Sequence, residues 1–224
     1  MSPQSPQSDK RGPFVSDIEE IRRRARQHIE NGAVTDAYQA DREVVIRVLN
    51  EALATEIVCV LRYKRHHYMA AGIHAQAVAE EFLEHASEEQ HHADMIAERI
   101  VQLGGAPNFS PEGLAMRSHS QYVEGTTLVD MIREDLVAER IAIDSYSEII
   151  RYLGTNDPTS RRVLEEILAK EEEHADDMKT LIETLAGIED SNKSVTAKRD
   201  PGSERLPNYA PGRESVRYRT TGFS

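Results

Sequence analysis

Cysteine is nearly absent from this chain, and long apolar runs are missing altogether. Of the 224 residues only Cys59 is a cysteine, which excludes an internal disulfide and any zinc or iron–sulfur site built from several cysteines. No run of about 18 apolar residues is present, and the first 14 residues, MSPQSPQSDKRGPF, lack the apolar core of a signal peptide. These absences predict a soluble, cytoplasmic protein with no membrane partner.

Basic residues are in the minority, with 27 Lys and Arg against 39 Asp and Glu and a formal net charge of -12. Such a chain is better suited to binding cations than to coating nucleic acid. The last segment is the exception, because residues 191–224 carry seven basic and three acidic residues, a net charge of +4. A DNA-binding protector that uses this basic tail, or the IRRRARQH segment, is therefore kept as an alternative function.

Glycine and proline are scarce, 12 and 9 residues, and they cluster outside the long periodic segments. No strand-like alternation competes with the helical period, so we expect an all-α fold. Composition predicts a disordered tail over residues 1–14 and an accessory N-terminal helix in residues 15–40, which stops near Gly32. A four-helix bundle is predicted for residues 41–186, followed by a basic, disordered tail over residues 187–224.

Connection lengths predict the topology of this bundle. Short loops are expected near Ala71-Gly72 and near Asn156-Asp157-Pro158, and each would join two antiparallel helices. Between the two hairpins, the segment from Gly104 to Gly125 is long enough to cross the bundle, with room for a short helix from Ser110. We therefore expect two hairpins that are joined by one long crossover.

Acidic residues interrupt the core-facing stripe of every predicted long helix. A buried carboxylate costs several kcal/mol unless it is neutralised, paired or bound to a metal. No Lys or Arg occupies the core-facing positions, so bound metal explains the acids most simply. The interrupting acids are Glu56, Glu89, Asp135, Glu139 and Glu171.

Two E-x-x-H motifs place a carboxylate and an imidazole on neighbouring turns of one helical face. Di-iron carboxylate bundles use one Glu from each of two helices and an E-x-x-H from each of the other two. Here the lone glutamates precede the motif glutamates by 33 and 32 residues, as expected if each hairpin brings its pair to one level. Four glutamates also balance two divalent ions. The predicted ligands are Glu56, Glu89, His92, Glu139, Glu171 and His174.

A second, overlapping E-x-x-H is formed by Glu88 and His91. At 100° per residue, His91 lies about 200° from Glu89, whereas His92 lies about 60° from it on the near side. We therefore predict that Glu89 and His92 face the core and that Glu88 and His91 are solvated.

Two further residues are predicted to support the ligands. Tyr63 follows Glu56 by seven residues on the same face, so its hydroxyl could serve as a hydrogen-bond donor or an electron source. A plain core tyrosine is the alternative. Asp135 lies one turn before Glu139 and is expected to orient a ligand histidine.

The assembled motifs resemble the ferritin superfamily, most closely bacterioferritins and the Dps-like mini-ferritins, over about residues 41–186. The resemblance implies that the six residues are ferroxidase ligands for two iron ions per subunit, with manganese as an alternative metal. It also implies Fe(II) oxidation by dioxygen or hydrogen peroxide and storage of ferric mineral in a homo-oligomeric shell, which protects against oxidative stress. The stretches that carry it are LNEALATEIVCVLRYKRHH, EEQHHADMIAERIVQLGGAPN, DMIREDLVAERIAI and LEEILAKEEEHADDM.

Departures from the family pattern refine these expectations. Gln90 stands where bacterioferritins carry the haem-binding methionine, so haem is not expected. No apolar fifth helix follows Leu185, which favours a shell of 12 subunits over 24. Dps proteins place iron between subunits with ligands that this chain does not match, so we expect an intrasubunit site. A di-manganese catalase or a rubrerythrin-like peroxidase is the alternative enzyme, although the latter lacks its cysteine pairs here.

Overall fold

The computed structural model describes residues 15–73 and 75–197, with side chains described as far as residue 188. Within these ranges the chain is helical and forms no strand, which confirms the all-α prediction. No helix among the described residues is long and apolar enough to cross a membrane. The predicted tail over residues 1–14 and most of the predicted basic tail lie outside the described residues. The helices are α1 (Ile18–Arg24), α2 (Arg42–Met69), α3 (Ala75–Gln102), α4 (Leu114–Arg117), α5 (Leu128–Leu153) and α6 (Pro158–Ala197).

Local sequence signals set the ends of the long helices. Asp41 caps α2, because its carboxylate accepts a hydrogen bond from the backbone N–H of Glu43 at 3.1 Å. Pro158 opens α6 at a position where a backbone N–H would have no helical partner. Gly154 ends α5 with a φ of 49°, a left-handed value that glycine adopts without a steric cost.

The long helices form two hairpins joined by a crossover. Tyr63, late in α2, packs against His85, early in α3, with ring centroids 5.2 Å apart. Gly105, directly after α3, lies against Ile46 at the start of α2, so these two helices are antiparallel. Residues 103–127 lead from α3 to α5 and include α4, the short helix expected there.

Two apolar clusters fill the bundle and leave a layer between them. The first joins the start of α2, the end of α3, the end of α5 and the start of α6, and includes Leu49, Ile96, Tyr146 and Leu164. The second joins the opposite ends of the same helices and includes Tyr63, Phe82, Ile132 and Met178. Each buried Leu, Ile or Phe stabilises the fold by about 1.5–3 kcal/mol. The clusters thus exclude water on both sides of the layer in which the predicted ligands lie.

The N-terminal helix is shorter than predicted. It was expected to continue to about Gly32, but α1 ends at Arg24, and after Ala25 the backbone N–H groups of Arg26 and Gln27 bond to carbonyls only three residues back. His28 then adopts a φ of 50°, which interrupts the helical backbone, and a single 3-10 turn follows at Ile29–Asn31.

Helix α6 is longer than predicted. Its periodic apolar pattern stops after Leu185, yet the backbone stays helical to Ala197. Gly187 costs a helix only about 1 kcal/mol, and no proline occurs between Pro158 and Pro201. The tail predicted to be disordered from residue 187 therefore begins as helix, and the rest of it lies outside the described residues.

Candidate metal centre

The layer between the two apolar clusters contains all six predicted ligands. Every one of them is at most 5% exposed. Four carboxylates at this depth must be neutralised by protons, by cationic side chains or by metal ions, because burial without compensation costs several kcal/mol for each charge. The residues are Glu56 on α2, Glu89 and His92 on α3, Glu139 on α5, and Glu171 and His174 on α6.

The six side chains converge in two groups that share two members. Within each group, the potential ligand atoms all lie within 4.8 Å of one another. Glu89 and Glu171 belong to both groups, so their carboxylates lie between the other members of the two groups. The remaining members are Glu56 and His92 in the first group and Glu139 and His174 in the second.

Two tyrosines hold the lone glutamates in a crosswise arrangement. The Tyr63 hydroxyl on α2 donates a hydrogen bond to Glu139 on α5, and the Tyr146 hydroxyl on α5 donates to Glu56 on α2. The first contact corresponds to the donor role considered for Tyr63. Tyr146 was missed as a functional residue, although it follows Glu139 by seven residues, as Tyr63 follows Glu56. Each hydroxyl binds Oε1 of its glutamate and leaves Oε2 free to bind a metal ion.

Several buried ligand atoms have no hydrogen-bond partner among the described residues. Native proteins leave few such groups unsatisfied. Nδ1 of His92 lies 2.9 Å from Oε1 of Glu171, but these two atoms are not aligned for a hydrogen bond. Carboxylate oxygens and imidazole nitrogens together suit iron or manganese, so the residues fit the pair of metal ions that the sequence predicts. The unpartnered atoms are Glu56 Oε2, Glu89 Oε1, Glu139 Oε2, Glu171 Oε1 and His174 Nδ1.

Crowding of charges shifts the pKa values of these groups. Burial, together with repulsion from Glu89, raises the pKa of Glu56 and Glu171 well above the ordinary value. Burial alone would lower the pKa of His92, but the neighbouring carboxylates of Glu56 and Glu89 outweigh it and raise the pKa to about 10. The pKa of His174 is raised to about 9, because the nearby carboxylate of Glu89 outweighs burial. In the metal-free centre, protons on these carboxylates and imidazoles thus compensate the buried negative charge, and metal binding should release those protons.

Glu88 orients the ring of His174. Its carboxylate accepts a hydrogen bond from Nε2 of His174 at 2.7 Å, and Nδ1 then faces Glu89 at 3.4 Å. Metal-binding histidines generally use the second ring nitrogen in this way. The ammonium of Lys170 holds the other oxygen of Glu88 at 3.2 Å. The prediction that Glu88 is solvated was therefore wrong, because it lies at the edge of the core-facing stripe and meets α6; His91 is exposed.

Substituting Glu88 will test this arrangement. We expect Glu88→Gln to weaken metal binding at the His174 group by about 10–100-fold, because the amide no longer raises the basicity of the imidazole. Titration with Co(II), followed by its visible absorption, measures the affinity. Glu84→Gln removes an exposed carboxylate one turn earlier on α3 and is the matched control. Equal affinities in the two variants would contradict the role of Glu88.

Asp135 lies beside the centre but contacts neither ligand histidine. Its carboxylate accepts a hydrogen bond from Nε of Arg62 at 2.7 Å and lies 2.8 Å from Nδ1 of His66. The structure thus corrects the partner expected for Asp135. The structure also corrects the premise that no arginine neutralises the buried acids, because Arg62 pairs with Asp135. Arg62 does not itself face the core, but it is next to core-facing Tyr63, and its long side chain reaches inward and is 1% exposed.

Gln90, which the resemblance to bacterioferritins places at the haem-binding methionine, is exposed. Its side-chain amide donates a hydrogen bond to Asp94 at 3.2 Å on the outer face of α3. That this chain binds no haem stays a prediction, and titration with haem followed by its absorption near the Soret band would test it.

Comparison with protein families gives a match to the ferritin-like domain over residues 46–188, which is more than half of the chain. The chain belongs to the ferritin-like family. All six residues of the candidate centre lie within the matched range, as do both tyrosines that hold the lone glutamates.

Individual relatives of this ferritin-like chain include bacterioferritins. It is 32% identical to a bacterioferritin of Mycobacterium avium over 148 residues, 66% of this chain and 88% of the relative. Among solved structures, it is similar to a dodecameric thioferritin, the bacterioferritin-related protein of Bacteroides fragilis, with 32% identity, a TM-score of 0.66 and coverage of 68% and 92%. Dps from Thermosynechococcus elongatus has a TM-score of 0.60 at 22% identity, with coverage of 62% and 90%, which shows a shared fold alone.

Proposed function

We propose that this ferritin-like chain is a ferroxidase and iron-storage protein. It binds two Fe(II) ions at the six-residue centre, oxidises them with dioxygen or hydrogen peroxide, and passes ferric product to a homo-oligomeric shell. The main support is the set of four buried carboxylates that converge with two histidines in two groups sharing Glu89 and Glu171. Membership of the ferritin-like family, with bacterioferritin relatives, supports the same function.

The geometry suggests a role for each side chain. Glu89 and Glu171, which belong to both groups, take the bridging positions. The two lone glutamates are terminal ligands, and their tyrosine partners fix one carboxylate oxygen each while the other faces the centre. Each histidine supplies one nitrogen. Four negative charges are balanced by two divalent cations, which explains how the acids are tolerated between two apolar clusters.

Two Fe(II) ions held about 3.5–4 Å apart can give up two electrons together. With two protons, these electrons reduce dioxygen to hydrogen peroxide, or hydrogen peroxide to two water molecules, and leave two Fe(III). The raised pKa values of His92 and His174 indicate that the metal-free centre holds protons on its imidazoles, which are displaced when Fe(II) binds. The surrounding apolar clusters limit the access of water to the reacting ions.

Anaerobic loading followed by an oxidant tests this function. Metal-free protein is given Fe(II) without oxygen, and then dioxygen or hydrogen peroxide is added while ferric absorption is recorded. We expect fast oxidation of two Fe(II) per subunit, followed by mineral growth as more Fe(II) is supplied. Rapid oxygen release from peroxide without a mineral would instead favour a catalase, and no oxidation above the protein-free rate would refute the proposal.

Storage requires an enclosed interior, and we propose a shell of twelve subunits. The similarity to the dodecameric protein of Bacteroides fragilis, which spans 92% of that chain, supports this number. Mass measurement of the assembled particle tests it: twelve chains of 25.2 kDa amount to about 300 kDa, and twenty-four to about 600 kDa. A particle of the larger mass, or a monomer, would contradict the dodecamer.

A further inference from the structure

A second group of potential ligands lies beside the six-residue centre, where helix α3 faces helix α6. It consists of Glu81 and His85 on α3 and Asp177 on α6, and their ligand atoms lie within 4.8 Å of one another. His85 is 2% exposed, whereas the carboxylate side chains are 35% and 44% exposed. The group therefore opens to solvent on its acidic side and is closed by an imidazole on its inner side.

Hydrogen bonding determines which nitrogen of His85 can bind a cation. The Tyr63 hydroxyl gives its single proton to Glu139, so the 3.2 Å contact between Nδ1 of His85 and the Tyr63 oxygen is made by an Nδ1–H donor. A neutral imidazole then has its lone pair on Nε2. This Nε2 atom makes no hydrogen bond among the described residues and faces two further acceptors, the carboxylates of Glu81 and Asp177.

Distances in the group match a shared cation. Nε2 of His85 is 3.5 Å from Glu81 Oε1 and 3.7 Å from Asp177 Oδ2. Two ligands that bind one metal ion at about 2.0–2.2 Å lie at most about 4.4 Å apart, so both separations fit one ion. Within the described residues, neither carboxylate pairs with Lys or Arg. The nearby ammonium of Lys170 is instead bound to Glu88 and Glu173, at 3.2 and 2.9 Å.

Position connects this group with the six-residue centre. The ring of His85 stacks on the ring of His174, with centroids 4.0 Å apart. Through Tyr63, the same imidazole reaches Glu139 on the other side of the centre. A cation bound at Nε2 would thus be separated from the centre by only two stacked imidazole rings.

We propose that Glu81, His85 and Asp177 form a third divalent-cation site, which takes up hydrated Fe(II) from solvent and passes it to the six-residue centre. Two half-exposed carboxylates suit capture of a hydrated ion, and the buried imidazole replaces part of its water shell. First-row divalent ions are the expected ligands, because the group mixes carboxylates with one imidazole. Cation binding is independent of the proposed ferroxidase function, whereas the transfer step rests on it.

Binding is tested with Co(II) as the probe, on the assembled protein without iron. We expect equilibrium dialysis to give three Co(II) per subunit in the unsubstituted protein, and two in Asp177→Asn and in Glu81→Gln. Both replacements keep the size of half-exposed side chains, so the fold should be unaffected. Asp176→Asn and Glu84→Gln are matched controls, since both residues are exposed acids outside the group, and should retain three. Equal Co(II) content in Asp177→Asn and Asp176→Asn would overturn the site.

Diffraction and kinetics separate the site from its role. Crystals soaked in Co(II) should show an anomalous peak between His85 and Asp177, and the absence of a peak would overturn the site. At low Fe(II), the oxidation rate of Asp177→Asn should fall by about tenfold relative to Asp176→Asn, and excess Fe(II) should restore it. Equal rates at low Fe(II) would overturn the transfer role. If the unsubstituted protein fails to oxidise Fe(II) at all, the ferroxidase proposal is refuted, while Co(II) content still decides the third site.

Discussion

Replacing Glu171 with glutamine will lower the rate of Fe(II) oxidation by at least about 100-fold. Glu171 belongs to both ligand groups, so this one change removes an anionic oxygen from both metal positions. The rate is measured from ferric absorption after dioxygen is mixed with protein that was loaded anaerobically with two Fe(II) per subunit. Binding of the second Fe(II) should be lost together with the rate.

The same substitution should have the opposite effect on the stability of the metal-free protein. Glu171 is 1% exposed, and burial together with repulsion from three neighbouring glutamates raises its pKa. Glutamine removes this repulsion, so the metal-free variant should unfold at a higher urea concentration at pH 7. Glu172→Gln, an exposed neighbour, is the control and should change neither property. If Glu171→Gln oxidised Fe(II) as fast as this control, Glu171 could not bridge the ions.

The positions of the buried acids could be predicted because a helical stripe is periodic. Once the apolar residues of each helix define a face, a glutamate on that face is conspicuous, and Glu56, Glu89, Glu139 and Glu171 could each be found from one helix alone. Their convergence also followed, because the helices of each hairpin bring residues at matching distances from a short loop to one level.

Contacts between side chains on different helices were harder to predict. Tyr146 was not predicted to contact a ligand because its partner, Glu56, lies on a helix of the other hairpin, and the periodicity of one helix does not show which residues of another helix it will contact. The sequence did contain one signal for Tyr146: it follows Glu139 by seven residues, just as Tyr63 follows Glu56. Glu88 and Arg62 lie at the edges of their stripes, where the reach of a long side chain determines whether it meets a partner.

Helix ends were predicted well only where a capping residue marks them. Gly154 and Pro158 delimit the connection between α5 and α6, which contains the loop expected near Asn156-Asp157-Pro158. The end of α6 was placed near Leu185 because the apolar pattern stops there. Loss of amphipathic pattern indicates where packing ends and does not stop a helix, which here continues to Ala197.

Replacing Asp135 with alanine will destabilise the metal-free protein by about 3–5 kcal/mol, because Arg62 then keeps a buried charge without its carboxylate. Both side chains are at most 1% exposed, so water cannot replace the lost partner. The midpoint of urea unfolding, at a fixed subunit concentration, measures the change. Asp144→Ala removes an exposed acid from the same helix and should shift the midpoint little.

A double substitution distinguishes the loss of the ion pair from the loss of packing. Arg62→Met combined with Asp135→Leu removes both charges and fills much of the space with apolar groups, so it should cost less than the sum of the two single changes. Arg62 also donates hydrogen bonds to Ser120 and to the carbonyl of Gln121 in the crossover. Those bonds are lost in the single Arg62→Met and in the double variant alike, so they cancel in the comparison. Additive costs would mean that Arg62 and Asp135 stabilise the bundle independently, and that the arginine ties the crossover to α2 without help from the carboxylate on α5.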